Sequence, residues 1–275
     1  MGGVALAPGG GVHRAANPEV LLSSLRPLVL ASALVAGCFV HIDRSETTES
    51  FPVDAPITAV RFDVESGDVE IRHGETPEVI RTYWGRRPEL VAEVTGGVLN
   101  LRVDCSGVRA CRSKHVVLLP ENVDVQGLTG SGDVTVVGAL TVDVSTGSGD
   151  VEARRVDGEV RVETGSGDVD LAEIGGDVDV VVGSGDVVAQ VLYSDRAVVE
   201  TGSGDVRIEV EEPPGLLTVT TGSGDVIARV PEGPYDLRTH TDSGDVQVTG
   251  VKHVPGAEHR IDVETGSGDI VVSAR

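Results

Sequence analysis

Apolar and polar residues alternate in short runs along most of this chain, and turn sequences separate the runs. Val151 and Ala153 are apolar, Glu152 between them is charged, and a turn at residues 157–158 leads into a second run of the same kind at residues 160–163. Alternation with a period of two is typical of β-strands with one buried face and one exposed face. The pattern therefore predicts an all-β protein in which two short strands separate successive major turns.

The major turn recurs nine times along the chain. In seven copies it reads Gly-Ser-Gly-Asp followed by Val or Ile, and in the other two Glu65 or Asp242 replaces the first glycine. From Asp133 onward, successive aspartates of the turn are separated by 17, 18, 18, 19, 20, 20 and 24 residues. So regular a period indicates a repeat architecture, in which neighbouring units stack. The aspartates of the nine copies are Asp68, Asp133, Asp150, Asp168, Asp186, Asp205, Asp225, Asp245 and Asp269.

A single repeat contains only a few small apolar side chains, and their burial does not offset the entropy lost on ordering about 18 residues. We therefore expect the repeats to stack into a single-domain β-solenoid, similar to a parallel β-helix, with two short strands in each coil of about 18–20 residues. Stacked coils share burial and backbone hydrogen bonds. An antiparallel β-sandwich built from hairpins is the alternative architecture.

Residues 1–37 predict an export signal rather than a part of the fold. The apolar run at residues 27–36 follows two arginines and is too short to span a bilayer permanently. It ends in Leu34-Val35-Ala36-Gly37-Cys38, which resembles the lipobox of bacterial lipoproteins. The resemblance implies that cleavage leaves Cys38 at the N-terminus with diacylglycerol on its thiol, so that the mature protein is anchored in a membrane of the cell envelope. A plain secretory signal or an uncleaved anchor is the alternative.

The remaining chain divides into a tether and one repeat domain. Residues 38–56 are mostly polar or charged after the first few positions and predict a flexible tether. The repeat domain is expected to cover residues 57–275. Within it the repeat lapses over residues 73–129, which we interpret as a decorated N-terminal part that covers one end of the solenoid.

Cys105 and Cys111 are the two cysteines that follow Cys38, and they flank a short segment between two apolar runs. Two strands joined by a loop would bring these cysteines within bonding distance. An even pair in an exported chain predicts a disulfide that closes the loop. A redox-active pair is the alternative, although such pairs usually have closer spacing beside an electropositive helix start.

Charge and composition narrow the set of partners. The 44 acidic and 22 basic residues give a net charge of −22, which repels nucleic acid and anionic lipid headgroups, so neither is a predicted partner. Apolar residues make up 40% of the chain but aromatic residues only 3%. The predicted core is therefore thin and aliphatic.

The repeated turn has a structural and a functional interpretation. Glycine permits a positive φ at a tight corner, and aspartate accepts backbone N–H bonds there. This structural role explains all nine copies without a cofactor. In the functional alternative, the eight aspartates from Asp133 to Asp269 form a ladder that binds cations, with calcium as the ion.

The GSGDV turns, together with the stretch Val116–Val123 that leads into them, resemble the bacterial putative-adhesin family of β-strand repeats. The resemblance covers roughly residues 57–275. It implies a repeat fold in an envelope protein, and it brings no catalytic residues.

The sequence therefore predicts a non-catalytic protein. The serine of each turn has no fixed histidine partner, and nine equivalent nucleophiles do not make one active site. We expect a lipid-anchored envelope protein whose adhesin-like β-repeat domain binds or scaffolds, with an envelope protein or a glycan as ligand. The alternatives are a self-assembling solenoid similar to bactofilin filaments, a polysaccharide-cleaving β-helix enzyme, and an envelope-stress sensor module.

Overall fold

All regular secondary structure in the described part of the chain is β-strand. The computed structural model describes Val4–Ala5, residues 46–106 and residues 111–275. The strands, numbered in chain order, are β1 Val4–Ala5, β2 Glu46–Pro52, β3 Ala59–Val64, β4 Asp68–His73, β5 Glu78–Trp84, β6 Glu89–Thr95, β7 Val98–Asp104, β8 Ser113–Leu119, β9 Asp124–Ser131, β10 Val134–Ala139, β11 Thr141–Ser148, β12 Val151–Val156, β13 Val160–Ser166, β14 Val169–Ile174, β15 Val178–Ser184, β16 Val187–Leu192, β17 Arg196–Thr201, β18 Val206–Val210, β19 Leu216–Ser223, β20 Val226–Val230, β21 Pro234–Ser243, β22 Val246–Thr249, β23 Lys252–His253, β24 Arg260–Ser267 and β25 Ile270–Ala274.

The strands form two sheets that face each other across the core. Sheet A has 13 strands in the order β1-β6-β7-β3-β9-β11-β13-β15-β17-β19-β24-β21-β23, and sheet B has 12 in the order β2-β5-β8-β4-β10-β12-β14-β16-β18-β20-β25-β22. From β9 to β22, consecutive strands alternate between the sheets, so each repeat makes one coil. Neighbouring strands in this region are parallel. The predicted β-solenoid is confirmed, and the sandwich alternative is wrong because hairpins would pair antiparallel.

The core follows from stacking equivalent residues in register. Val151 pairs with Val169, and Val169 with Val187, each being the residue after the turn aspartate. All three are at most 1% exposed. Each coil therefore places the same small apolar side chain above its counterpart, and burial continues along the whole stack.

The corner glycines are required because the corners stack backbone on backbone. At Gly167 φ is +144°, and a Cβ there would collide with the carbonyl oxygen of Gly149 in the preceding coil. A Cβ at Gly165 would lie 2.6 Å from the carbonyl oxygen of Gly147. Only a residue without a side chain fits either position.

One left-handed residue in each of three coils shifts the alternation of buried and exposed positions within sheet B. Arg155, Glu173 and Val191 have φ of 56°, 59° and 56°, and each lies five residues after a turn aspartate. In β12 the buried positions are consequently 151, 153 and 156 rather than every second residue. The left-handed residue rotates the strand so that a third side chain reaches the core before the second turn.

The N-terminal end of the solenoid is closed by antiparallel strands. In sheet B, β2 pairs with β5 and β5 with β8, and in sheet A β1 pairs with β6 and β6 with β7. Strands β5 to β8 and most of β9 lie within residues 73–129, where the repeat lapses. The structure differs from the expected tether over residues 38–56, because residues 46–52 form β2 and Phe51 packs into the core at 8% exposure.

The C-terminal end is open, and its coils are out of chain order. The last coil, β24 and β25, lies between β19–β20 and β21–β22, so β22 is the edge strand of sheet B. Val246 and Val248 of β22 are 44% and 42% exposed, although the equivalent Ile270 and Val272 of β25 are fully buried. The solenoid core is therefore uncovered at this end.

Candidate binding surface

Cys38, the predicted lipidation site, lies outside the described residues. The predicted signal, residues 1–37, also lies outside them apart from Val4–Ala5. Within the described ranges, no helix is long and apolar enough to cross a membrane.

Cys105 and Cys111 are joined as a disulfide beside the first corner of the solenoid. Their Cα atoms are 5.8 Å apart. The backbone N–H of Cys105 donates to Oε2 of Glu65 at 3.0 Å, and its Sγ lies 3.6 Å from the carbonyl oxygen of Ser66. The bridge thus holds the β7–β8 connection against the corner at residues 65–68.

The turn aspartates form a continuous hydrogen-bonded ladder. The carboxylate Oδ1 of each one except Asp245, which lies in the outermost coil, accepts the backbone N–H of the aspartate in the next coil, at 2.8 to 3.1 Å. In spatial order the ladder runs through Asp68, Asp133, Asp150, Asp168, Asp186, Asp205, Asp225, Asp269 and Asp245. Eight of the nine carboxylates therefore have a structural role at their corners. No group of three or more His, Cys, Asp or Glu residues in the described ranges is placed to hold a metal ion, and calcium binding stays a prediction.

A groove of about 700 Å³ crosses the outer face of sheet A near the N-terminal end. It spans the five adjacent strands β6, β7, β3, β9 and β11. Its outward-facing lining consists of Val91, Glu93, Asn100, Arg102, Arg61, Asp63, Gln126, Leu128, Asp143 and Ser145. We call this surface the sheet A groove.

Gly127 shapes the floor of the sheet A groove. It occupies a buried position of β9 where the repeats that follow have valine, as at Val144 and Val162. The ring of Phe62 fills the space that a Cβ at Gly127 would need. Phe62 and Leu101 therefore underlie the groove in place of a β9 side chain. The glycine was visible in the sequence, but its partner is 65 positions away and no local pattern connects the two.

The lining combines hydrogen-bonding groups with apolar side chains. Across the strands, Asn100, Arg61 and Gln126 lie side by side in register. Among the described residues Arg61 has no ion-pair partner within 4.0 Å, whereas Arg102 lies 3.8 Å from Asp63. Leu128 is 58% exposed beside them. Such a surface offers donors, acceptors and an apolar contact to a polar ligand.

A buried charge lies at the N-terminal end of the core. Arg81 of β5 is 1% exposed and points inward, where it donates hydrogen bonds to Glu49 of β2 and, at 3.1 Å, to the carbonyl oxygen of Pro88. Its guanidinium also lies 5.6 Å and 5.4 Å from the ring centroids of Phe51 and Tyr83. Sequence reasoning missed this residue, although its place in the alternation between Val79 and Tyr83 was the available signal.

His115 lies directly opposite Arg81 on β8 and is fully buried. Burial, and then the nearby positive charge of Arg81, lower the pKa of His115 to about 4. Its Nε2 lies 3.0 Å from Oγ of Ser113. At neutral pH this histidine is an uncharged part of the core.

A family model agrees with the repeat pattern of this chain. The model of the Toastrack DUF4097 family matches residues 57–273, which confirms the resemblance carried by the GSGDV turns. No curated protein is a recognisable relative of this chain.

Among solved structures, the chain is similar to a putative adhesin from Bacteroides fragilis, with 10% identity over 84% of this chain and 98% of that one and a TM-score of 0.43. A putative adhesin from Parabacteroides distasonis has 9% identity over the same shares, with a TM-score of 0.40. A putative cell adhesion protein from Clostridium sporogenes has 14% identity over 84% of this chain and all of that one, with a TM-score of 0.30.

The aspartate ladder predicts different effects for two substitutions at one corner. Asp186→Ala removes the acceptor for the N–H of Asp205, and we expect it to lower the free energy of unfolding by about 1 kcal/mol in urea titrations. Asp186→Asn retains a side-chain oxygen acceptor, so its effect should be less than about half as large. Equal losses in both variants would show that the negative charge, as in a cation site, is what stabilises the corner.

Burial of His115 predicts a stability that depends on pH. Below pH 6.5 the unfolded chain binds a proton at this histidine, while the folded protein does not until about pH 4, so stability falls as the pH is lowered through this window. The loss between pH 7 and pH 5 should be about 2 kcal/mol, because each pKa unit corresponds to about 1.4 kcal/mol.

In His115→Gln the difference between the unfolding free energies at pH 7 and pH 5 should shrink by this amount. The matched control His73→Gln, at an exposed histidine of β4, should keep the wild-type difference. An unchanged pH dependence in His115→Gln would contradict the assignment.

Proposed function

We propose a function for this chain, which belongs to the Toastrack DUF4097 family: it is a non-catalytic, lipid-anchored binding module of the bacterial cell envelope. The sheet A groove is the observation that carries this proposal. Its ligand in our proposal is an envelope glycan, held by the groove's side chains rather than transformed by them.

The chemistry of the groove favours a glycan over an apolar ligand. Asn100, Gln126 and Arg61 present planar amide and guanidinium groups in one row, which suit hydroxyl and acetamido groups. The apolar side chains of Leu128 and Val91, 58% and 40% exposed, suit the C–H faces and methyl groups of a sugar. Carboxylates at Glu93 and Asp143 lie at the two ends of the row and accept hydrogen bonds from hydroxyl groups.

The anchor supports an envelope setting for this groove. Seven residues separate Cys38 from β2, which is the edge strand of sheet B at the N-terminal end. A chain of that length reaches at most about 25 Å. With diacylglycerol on Cys38, the N-terminal end of the solenoid and its groove would therefore lie close to the membrane, beside the envelope layers that cover it.

Fractionation tests the anchor. In cells that make the wild-type chain, we expect it in the membrane fraction, with a mature N-terminus at Cys38 that carries diacylglycerol in mass spectrometry. Cys38→Ala should release the protein to the soluble fraction, whereas the control that replaces Cys105 and Cys111 by alanine should stay in the membrane. An unmodified N-terminus in wild-type cells would contradict the lipid anchor.

Co-sedimentation with purified peptidoglycan sacculi tests the groove. Leu128→Asp places a charge in the groove and should weaken binding of the mature chain by at least about tenfold, whereas Val181→Asp should stay within about twofold of wild type. The control is matched because Val181 also faces outward on sheet A, with 43% exposure, but lies outside the groove. Equal retention of both variants would contradict the groove as the site. A wild-type chain that does not sediment would contradict the glycan.

A further inference from the structure

We infer that the open C-terminal end of the solenoid is a self-association surface, and that its partner is the same end of a second copy of this chain. This end consists of β22 at the edge of sheet B and of β21, whose outer edge is paired in the described part of the chain at Pro234 and Tyr235 alone, with β23. The two ends of the solenoid differ in a way that selects like-with-like contact.

The first argument is the uncovered core. Val246 and Val248 have the inward positions of β22, yet both are more than 40% exposed, because no strand of the described residues lies beyond β22 in sheet B. At the opposite end Phe51 and Val53 are buried, at 8% and 4% exposure. A head-to-tail contact would place Val246 and Val248 against the polar edge strand β2, which reads Glu-Thr-Thr-Glu-Ser-Phe-Pro. A contact between two C-terminal ends buries apolar side chains against apolar side chains.

The second argument is the unprotected edge. Exposed edge strands usually carry proline, lysine or an inward-pointing charge, which prevents pairing with another chain. Residues 238–250 contain neither proline nor lysine, and the charged side chains of β21 in this stretch are exposed. The backbone N–H and C=O groups of β22 on the side away from β25 have no strand partner in the described residues. They are therefore available for a ladder with a second chain.

The third argument is self-complementary charge along β21. Arg238, His240 and Asp242 alternate along this strand. A two-fold axis perpendicular to the solenoid axis makes the facing edge strands antiparallel, and with the axis at His240 each Arg238 lies opposite the partner's Asp242. The outermost coil, residues 234–253, has three acidic and two basic residues, so the net charge of −22 does not oppose this contact locally.

Such a dimer would have a function that rests on the proposed lipid anchor. The 12 strands of sheet B, at about 4.8 Å each, separate the N-terminal end from the open end by about 50 Å. In the two-fold dimer the two N-terminal ends point away from each other and are about 100 Å apart. The contact therefore joins copies anchored in two facing membranes.

Light scattering during size-exclusion chromatography tests the dimer without the anchor. The end of one solenoid is smaller than a standard interface, so we expect the mature wild-type chain to dimerise in the micromolar range and to be mostly dimeric at about 200 µM. Val248→Lys should be monomeric at this concentration. Val181→Lys, at a valine with the same exposure on the outer face of sheet A, should dimerise as wild type does.

A charge swap tests the register. Arg238→Asp should weaken the dimer about tenfold, because it creates two like-charge pairs across the edge. The double variant Arg238→Asp with Asp242→Arg should return to within about threefold of wild type. A monomeric wild-type chain at about 200 µM, or equal loss in Val248→Lys and Val181→Lys, would overturn the self-association surface.

Vesicles separate this inference from the proposed anchor. Mature chain coupled through Cys38 to maleimide lipids should aggregate vesicles, and Val248→Lys should not. A chain that dimerises in solution but does not aggregate vesicles would overturn the membrane-bridging role alone. If cells do not lipidate Cys38 but the chain dimerises, the proposed function is wrong and the self-association surface stands.

Discussion

Every coil of this solenoid depends on how closely the Gly-Ser-Gly-Asp corners approach one another. The carbonyl oxygen of one corner lies where a side chain of the next would begin, as between Gly149 and Gly167. At the same corner, the carboxylate of Asp150 accepts the backbone N–H of Asp168 in the next coil. Because a strand of sheet A ends at each corner and a strand of sheet B begins there, the close approach of the corners fixes the register of both sheets. In this register the buried valines of one coil lie directly beside the buried valines of the next. Glycine and aspartate thus determine the stacking that the apolar residues then stabilise.

The regular coil could be predicted from the sequence, but the left-handed residues of sheet B and the strand β2 could not. Alternation and period predicted parallel coils with two strands each, because both properties are local and repeated nine times. The left-handed residues Arg155, Glu173 and Val191 were missed because only glycine or asparagine signals that conformation, and here three ordinary side chains adopt it under the constraint of the neighbouring coils. The strand β2 was missed because its residues are polar and gain order only by pairing with β5.

The candidate site was less accessible to sequence reasoning than the fold. The disulfide between Cys105 and Cys111 could be predicted from their local spacing between two apolar runs and from the export signal. The sheet A groove depends on contact between Phe62 and Gly127, and the buried charge cluster on contact between Arg81 and Glu49. Both contacts join parts of the chain that are more than 30 residues apart, and in each contact one partner lies within residues 73–129, where the repeat lapses and gives no register. The regular part of the molecule is therefore predictable and structural, whereas the irregular N-terminal part carries the distinctive chemistry.

The order of the last three coils has a consequence for how this end of the chain folds during its synthesis. Residues 234–249 are synthesised before residues 260–274, yet in the finished structure the later coil separates the earlier one from β19 and β20. On the ribosome, the coil of β21 and β22 therefore exists before the surface on which it finally rests. The coils at this end cannot assemble by simple addition of each new coil to the last, and their completion waits until β25 has been translated.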